Sequence, residues 1–138
     1  MRPRIHGEFE ITIEGRLLVS RVRGPWNFEA VQAYGEETAR KVNILAGQPW
    51  GVLAITGGEP LHTPDSIDKL VEIIQTHQKL GRCGTALVFE GLTEPAKILQ
   101  TMLAQMYILS QEPYIFANDQ DSARQWLHEQ LAQHGSGI

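Results

Sequence analysis

Two stretches of this chain restrict its fold more than any other feature. Trp50–Thr56 and Thr85–Phe89 are runs without a single charged residue. A strand with one wet face alternates polar and apolar side chains, so an unbroken run belongs to a strand covered on both faces. Strands of that kind occur in parallel sheets, and parallel neighbours need crossover helices to join them. The segments between and around the two runs read as those helices.

Ahead of the runs, Phe9, Ile11 and Ile13 alternate with Glu10, Thr12 and Glu14, the pattern of a half-buried strand. Glu14-Gly15-Arg16 separates it from Leu17–Val22, so the two form a hairpin and run antiparallel. Asn27 is placed to cap a first helix, with Trp26 and Val31 as a hydrophobic staple across the cap. Phe28, Val31, Gly35, Thr38, Ala39, Val42 and Ala46 form its inner stripe, and Gly35 there predicts a close helix–sheet approach. Glu36 with Arg40 and Glu37 with Lys41 are spaced to pair on its wet side, and Gly47 with Pro49 ends it.

Gly57-Gly58-Glu59-Pro60 breaks the first apolar run. A second helix begins near Thr63-Pro64-Asp65, buries Ile67, Leu70, Val71 and Ile74, and stops at Gly81. Thr93-Glu94-Pro95 opens a third helix that runs to about Ser110. Tyr114–Ala117 is a short strand, and Asn118-Asp119 caps a fourth helix facing inward through Ala123, Trp126, Leu127 and Leu131. The expectation is one α/β domain over residues 1–138 with a frayed tail at 134–138. Its sheet has about five strands, mostly parallel, with an antiparallel amino-terminal edge strand and four helices.

At 138 residues the chain is long enough to bury a core without staples, and Cys83, its one cysteine, rules out an intramolecular disulfide or a cysteine cluster for a metal. A net charge of -4 with scattered Lys and Arg argues against nucleic acid; Arg21 and Arg23, with Arg2 and Arg4, make at most a small basic patch. No stretch approaches the ~20 apolar residues of a membrane span, and the start lacks a signal peptide's apolar run. The expected compartment is therefore the cytoplasm, with no membrane partner and no cofactor.

The element order resembles the SpoIIAA-like, STAS-type fold of bacterial anti-sigma-factor antagonists, and more closely the small stand-alone SpoIIAA-like proteins of unassigned function. Three places carry the likeness: the hairpin leading into Gly24-Pro25-Trp26-Asn27, the strand Trp50–Thr56 followed by a helix at Asp65-Ser66, and the segment from Tyr114 to Leu127. In the antagonists a phosphorylatable serine opens the second helix within Asp-Ser-Ser-Gly. This chain has Asp65-Ser66-Ile67-Asp68, which keeps the first two residues of that motif and lacks the second serine and the glycine. The resemblance implies a regulatory domain working through protein contacts, and Ser66, exposed at a helix start, as its phosphorylation site.

In open α/β sheets ligands bind beyond the carboxyl ends of the parallel strands. That edge collects Gly57, Gly58, Glu59, His62, Asp65 and Ser66, then Glu90, Thr93 and Glu94, then Asn118 and Asp119. It is the candidate anion or ligand edge, although helix capping accounts for most of these residue types. No phosphate-loop, dinucleotide or nucleophile-elbow pattern surrounds the glycines or Ser66, and the histidines show no metal-ligand spacing. His77, at the margin of the second helix's stripe, reads as a hydrogen-bonded structural histidine.

The third helix is apolar around more of its surface than one sheet face requires: Ile98, Leu99, Met102, Leu103, Met106, Tyr107, Ile108 and Leu109. Met102, Met106, Tyr107 and Leu109 are accordingly the candidate interface, with a homodimer as the simplest assembly; a deeply packed core helix would show the same wide stripe. The leading expectation is a non-enzymatic regulatory or protein-interaction domain with an unidentified protein partner. The alternative is a carrier of a small apolar ligand or lipid in a pocket under the third helix.

Overall fold

The structure, a computed structural model, describes residues 8–90 and 96–136, with the side chains of all but 25–26, 58–62, 96–99 and 135–136. The chain forms β1 (Glu8–Glu14), β2 (Leu17–Trp26), α1 (Phe28–Leu45), β3 (Trp50–His62), α2 (Pro64–Gln78), β4 (Arg82–Glu90), α3 (Ala96–Ser110), β5 (Tyr114–Ala117) and α4 (Gln120–Ser136). The five strands lie in sequence order, β1-β2-β3-β4-β5. β1 pairs antiparallel with β2 at the edge, and every other pair is parallel.

Sequential order with crossovers of one hand puts every connecting helix on the same side of the sheet. The packing follows: α1 meets Leu18, Trp50 and Val52, while α2 and α3 meet Leu87. Only α4, which follows the last strand, lies on the other face, where Ala123 and Leu127 pack on Leu17, Val19, Leu53, Ile55, Ala86 and Val88. The two faces of β3 thus divide by parity, with Trp50, Val52 and Ala54 under α1–α3 and Leu53 and Ile55 under α4.

Local chemistry sets the element ends. Asn27 caps α1 by accepting from the Ala30 amide at 2.9 Å. Arg16, in the β1–β2 turn, donates to the carbonyls of Leu45, Gln48 and Pro49, which satisfies groups left open where α1 ends. Gly81 stops α2 in a left-handed conformation, φ +111, where a Cβ would lie 2.5 Å from the Gln48 carbonyl oxygen. At the end of α3, Gln111 takes φ 58. Its amide reaches the Ile108 carbonyl and the Glu112 amide reaches that of Tyr107, the paired bonds of a Schellman motif. That turn directs Glu112 into the core, where it is 4% exposed.

Several expectations need correction. β3 continues through Gly57 to His62, because Gly57 and Gly58 stay paired with Arg23 and Gly24 of the neighbouring strand instead of breaking the run. Gly35 serves a helix–helix approach, not a helix–sheet one: a Cβ there would sit 2.9 Å from the Ile73 side chain of α2. α4 extends to Ser136, so His134 belongs to the helix and not to a tail. On α1 the observed ion pair is Glu37 with Arg40, three residues apart and not the four of either pairing read from spacing. Thr93-Glu94-Pro95, the expected opening of α3, lies outside the described residues.

Candidate functional site

Among the described residues, those singled out at the carboxyl edge do not converge on one site. Gly57 is part of a paired strand and not of a cradle loop, and the side chains of Glu59 and His62 lie outside the described ones. Thr63 is the N-cap of α2, Asp65 stands exposed in its first turn, and Asp119 caps α4 by accepting from the Ser122 amide at 2.7 Å. That hydrogen bond holds the Asp119 carboxyl below its usual range. Ser66 is fully buried; its hydroxyl donates to the Thr63 carbonyl at 2.7 Å. The exposed position that a modifying enzyme would need is not found there. Among the described residues no group of His, Cys, Asp and Glu could hold a metal ion.

The third helix also departs from expectation. Met106 and Tyr107, two of the four proposed interface residues, are 3% and 4% exposed and face the sheet beside Ile74, Leu87 and Leu103. Met102 is half-buried, and only Leu109, at 63%, joins Ile108 on the outside. The wide apolar arc arises because α3 packs on both α2 and the sheet.

What Met106 and Tyr107 face is a cavity of about 80 Å³. A single water needs only about 10–15 Å³, so this is more than a one-water void. Its floor is Ser20 and Val22 of β2, Val52, Ala54 and Thr56 of β3, and Leu87 of β4; its roof includes Tyr34, Leu70, Ile73, Ile74, Leu103 and Met106. Val52 to Thr56 along the strand gives it a length of roughly 13 Å at the usual rise per residue. The space exists because residues at the middle of the sheet are small. Ala54, midway along the central strand, is not fully buried, and beside it stands Ser20, its register partner on β2.

One end of this cavity is polar, and sequence reading missed it. Arg82 lines the wall where β4 begins. It is ion-paired through Nε to Glu112, donates from Nη2 to the Thr85 hydroxyl at 2.7 Å, and contacts His77 Nδ1 at 3.2 Å. The Thr85 hydroxyl in turn donates to Glu112 at 2.7 Å, and Gln78 donates to the same carboxylate at 3.1 Å. An arginine has no acceptor, so Nδ1 of His77 accepts and its proton sits on Nε2. Burial, reinforced by Arg82, lowers the His77 pKa to about 3, so the imidazole is neutral at physiological pH. Burial likewise raises the Cys83 thiol, which leaves no thiolate nucleophile there. The signal for this cluster was present: Arg82 opens β4, Glu112 stands two residues ahead of β5, and the Thr85–Tyr114 register brings the two strand starts together.

Two hydroxyls at the cavity wall have no hydrogen bond among the described residues, those of Tyr107 and Thr56, although the residues are only 4% and 7% exposed. Ser20 and Tyr34 instead satisfy each other at 2.7 Å. The arrangement is a largely apolar tube with Arg82 and Tyr107 at one end and the Thr56 hydroxyl toward the other.

In overall shape the chain is similar to a solved structure from Shewanella loihica PV-4, an uncharacterised protein of the DUF3478 family with a SpoIIAA-like fold. The two share 14% identity and a TM-score of 0.54 over 92% of this chain and 98% of that one. The fold is therefore SpoIIAA-like. No known family profile matches the sequence, and no curated protein is similar to it.

Proposed function

We propose that this protein is a carrier of a small, largely apolar molecule held in the cavity between the sheet and α1–α3. The observation behind this reading is the cavity itself, about 80 Å³ in the middle of a domain of 138 residues. Protein interiors pack densely, and unfilled space lined by apolar groups costs stability. Filling it would have taken only a larger side chain than Ala54. The anti-sigma-type phospho-switch finds less support, because Ser66 is buried and already hydrogen-bonded.

The test uses native mass spectrometry of the protein purified without detergent from its own cells. A bound small-molecule mass on the wild type, absent from Ala54→Leu, is the expected result. Bare protein in both samples would contradict the reading.

A second reading, a protein-contact domain, draws on Ile108 and Leu109, which are 59% and 63% exposed side by side at the end of α3. A stable dimer buries about 1,200 Å² or more, which two side chains cannot supply alone. If α3 is nonetheless the contact, Leu109→Glu should shift the sedimentation coefficient toward the monomer's; an unchanged coefficient would dismiss it.

A further inference from the structure

We infer that the ligand presents an uncharged hydrogen-bond acceptor, of the carbonyl class, to Tyr107 and Arg82 at the polar end of the cavity. This rests on the cavity being a ligand site, and the experiment below separates the two claims. Tyr107 is 96% removed from solvent, lines the cavity, and its hydroxyl has no hydrogen-bond partner among the described residues. Buried hydroxyls are rarely left so, because desolvation without a partner is costly. Its burial raises its pKa, so it stays protonated and offers a proton.

Arg82 acts on the same end. Of its five N–H groups, one each goes to Glu112, His77 and Thr85, which leaves two without a hydrogen bond among the described residues. Both residues therefore offer donors, and an acceptor is the complementary group. A carboxylate would accept too, but the charge of Arg82 is already matched by Glu112 in direct contact. A further anion in this apolar space would be desolvated without a cation of its own, whereas a ketone, ester or amide oxygen brings no charge to desolvate. The tube of Val52, Ala54 and Leu87 then takes the hydrocarbon part.

The probes are 2-pentanone, pentane and butanoate, titrated into wild type and Tyr107→Phe and followed by methyl NMR of the cavity residues. Tyr107→Phe should weaken 2-pentanone roughly tenfold, as loss of one good buried hydrogen bond allows, and leave pentane unchanged. Butanoate should bind more weakly than the ketone. Because the hydroxyl has no hydrogen-bond partner among the described residues, Tyr107→Phe should melt no lower than wild type. Equal losses for ketone and pentane, or butanoate as the tightest probe, would overturn the carbonyl assignment while leaving the cavity as a ligand site. A marked drop in melting temperature would do the same, since it would mean that the hydroxyl is already paired. If none of the probes moves a cavity methyl, the carrier reading itself falls.

Discussion

The two faces of the sheet are packed to different standards. Under α4, Leu53, Ile55, Ala86 and Val88 meet Ala123 and Leu127 with only apolar side chains. A single helix can follow a twisted sheet closely, and Gly51 and Gly84 bring Leu127 and Trp126 near the backbone. Under α1–α3, the same strands present Ser20, Ala54 and Thr56, and the interior holds a cavity and a charged pair. The contrast teaches that the cavity is not a general looseness of the chain. It lies where small residues of β2 and β3 face a roof carried by three helices.

The largest effect expected from this contrast falls on the charged pair. Glu112→Ala leaves the Arg82 guanidinium buried without its counter-ion, and about 3–5 kcal/mol of stability should be lost. Urea unfolding measures it, and a loss below about 1 kcal/mol would show that water reaches this cluster.

Paired alanines sharpen the comparison directly. Ala86 is fully buried in the cluster under α4, so Ala86→Val should cost about 1–3 kcal/mol by overpacking. Ala54→Val adds its methyl groups toward the cavity and should be neutral or stabilising by up to about 1 kcal/mol. Equal destabilisation by the two would erase the distinction between the faces.

The smallest effect is in pH dependence. His77 is neutral in the fold, with its pKa lowered from 6.5 to about 3. As pH falls below 6.5 the unfolded chain gains a proton that the folded chain refuses until about 3, so stability is full above that window and declines through it. The slope is at most about 1.4 kcal/mol per pH unit. His77→Gln, whose amide oxygen can still accept from Arg82, should flatten the curve between pH 6 and 4; an unaltered slope would place the titration elsewhere.

Much of the fold was legible because periodicity and capping are local. Asn27 and Asp119 mark helix starts, Gly81 marks a stop, and the alternation of Phe9, Ile11 and Ile13 marks an edge strand. What escaped was whatever depends on two distant segments. Gly57-Gly58 looks like a break, yet it remains strand because β2 continues beside it. Met106 and Tyr107 look surplus to one sheet face, and only the position of α2 against α3 shows them to be interior. The cavity is less legible still, since no pattern along the chain reveals that Ala54, Ser20 and Tyr107 share an unfilled space.

The central claim is that this space takes a ligand, and methyl-resolved NMR with 2-pentanone tests it most directly. Ala54, Ile74, Leu87, Leu103 and Met106 should shift on titration, while Leu53, Ala123 and Leu127 on the opposite face stay fixed. Ala54→Leu should abolish the shifts. Shifts confined to Ile108 and Leu109, or none on the cavity wall, would contradict the account.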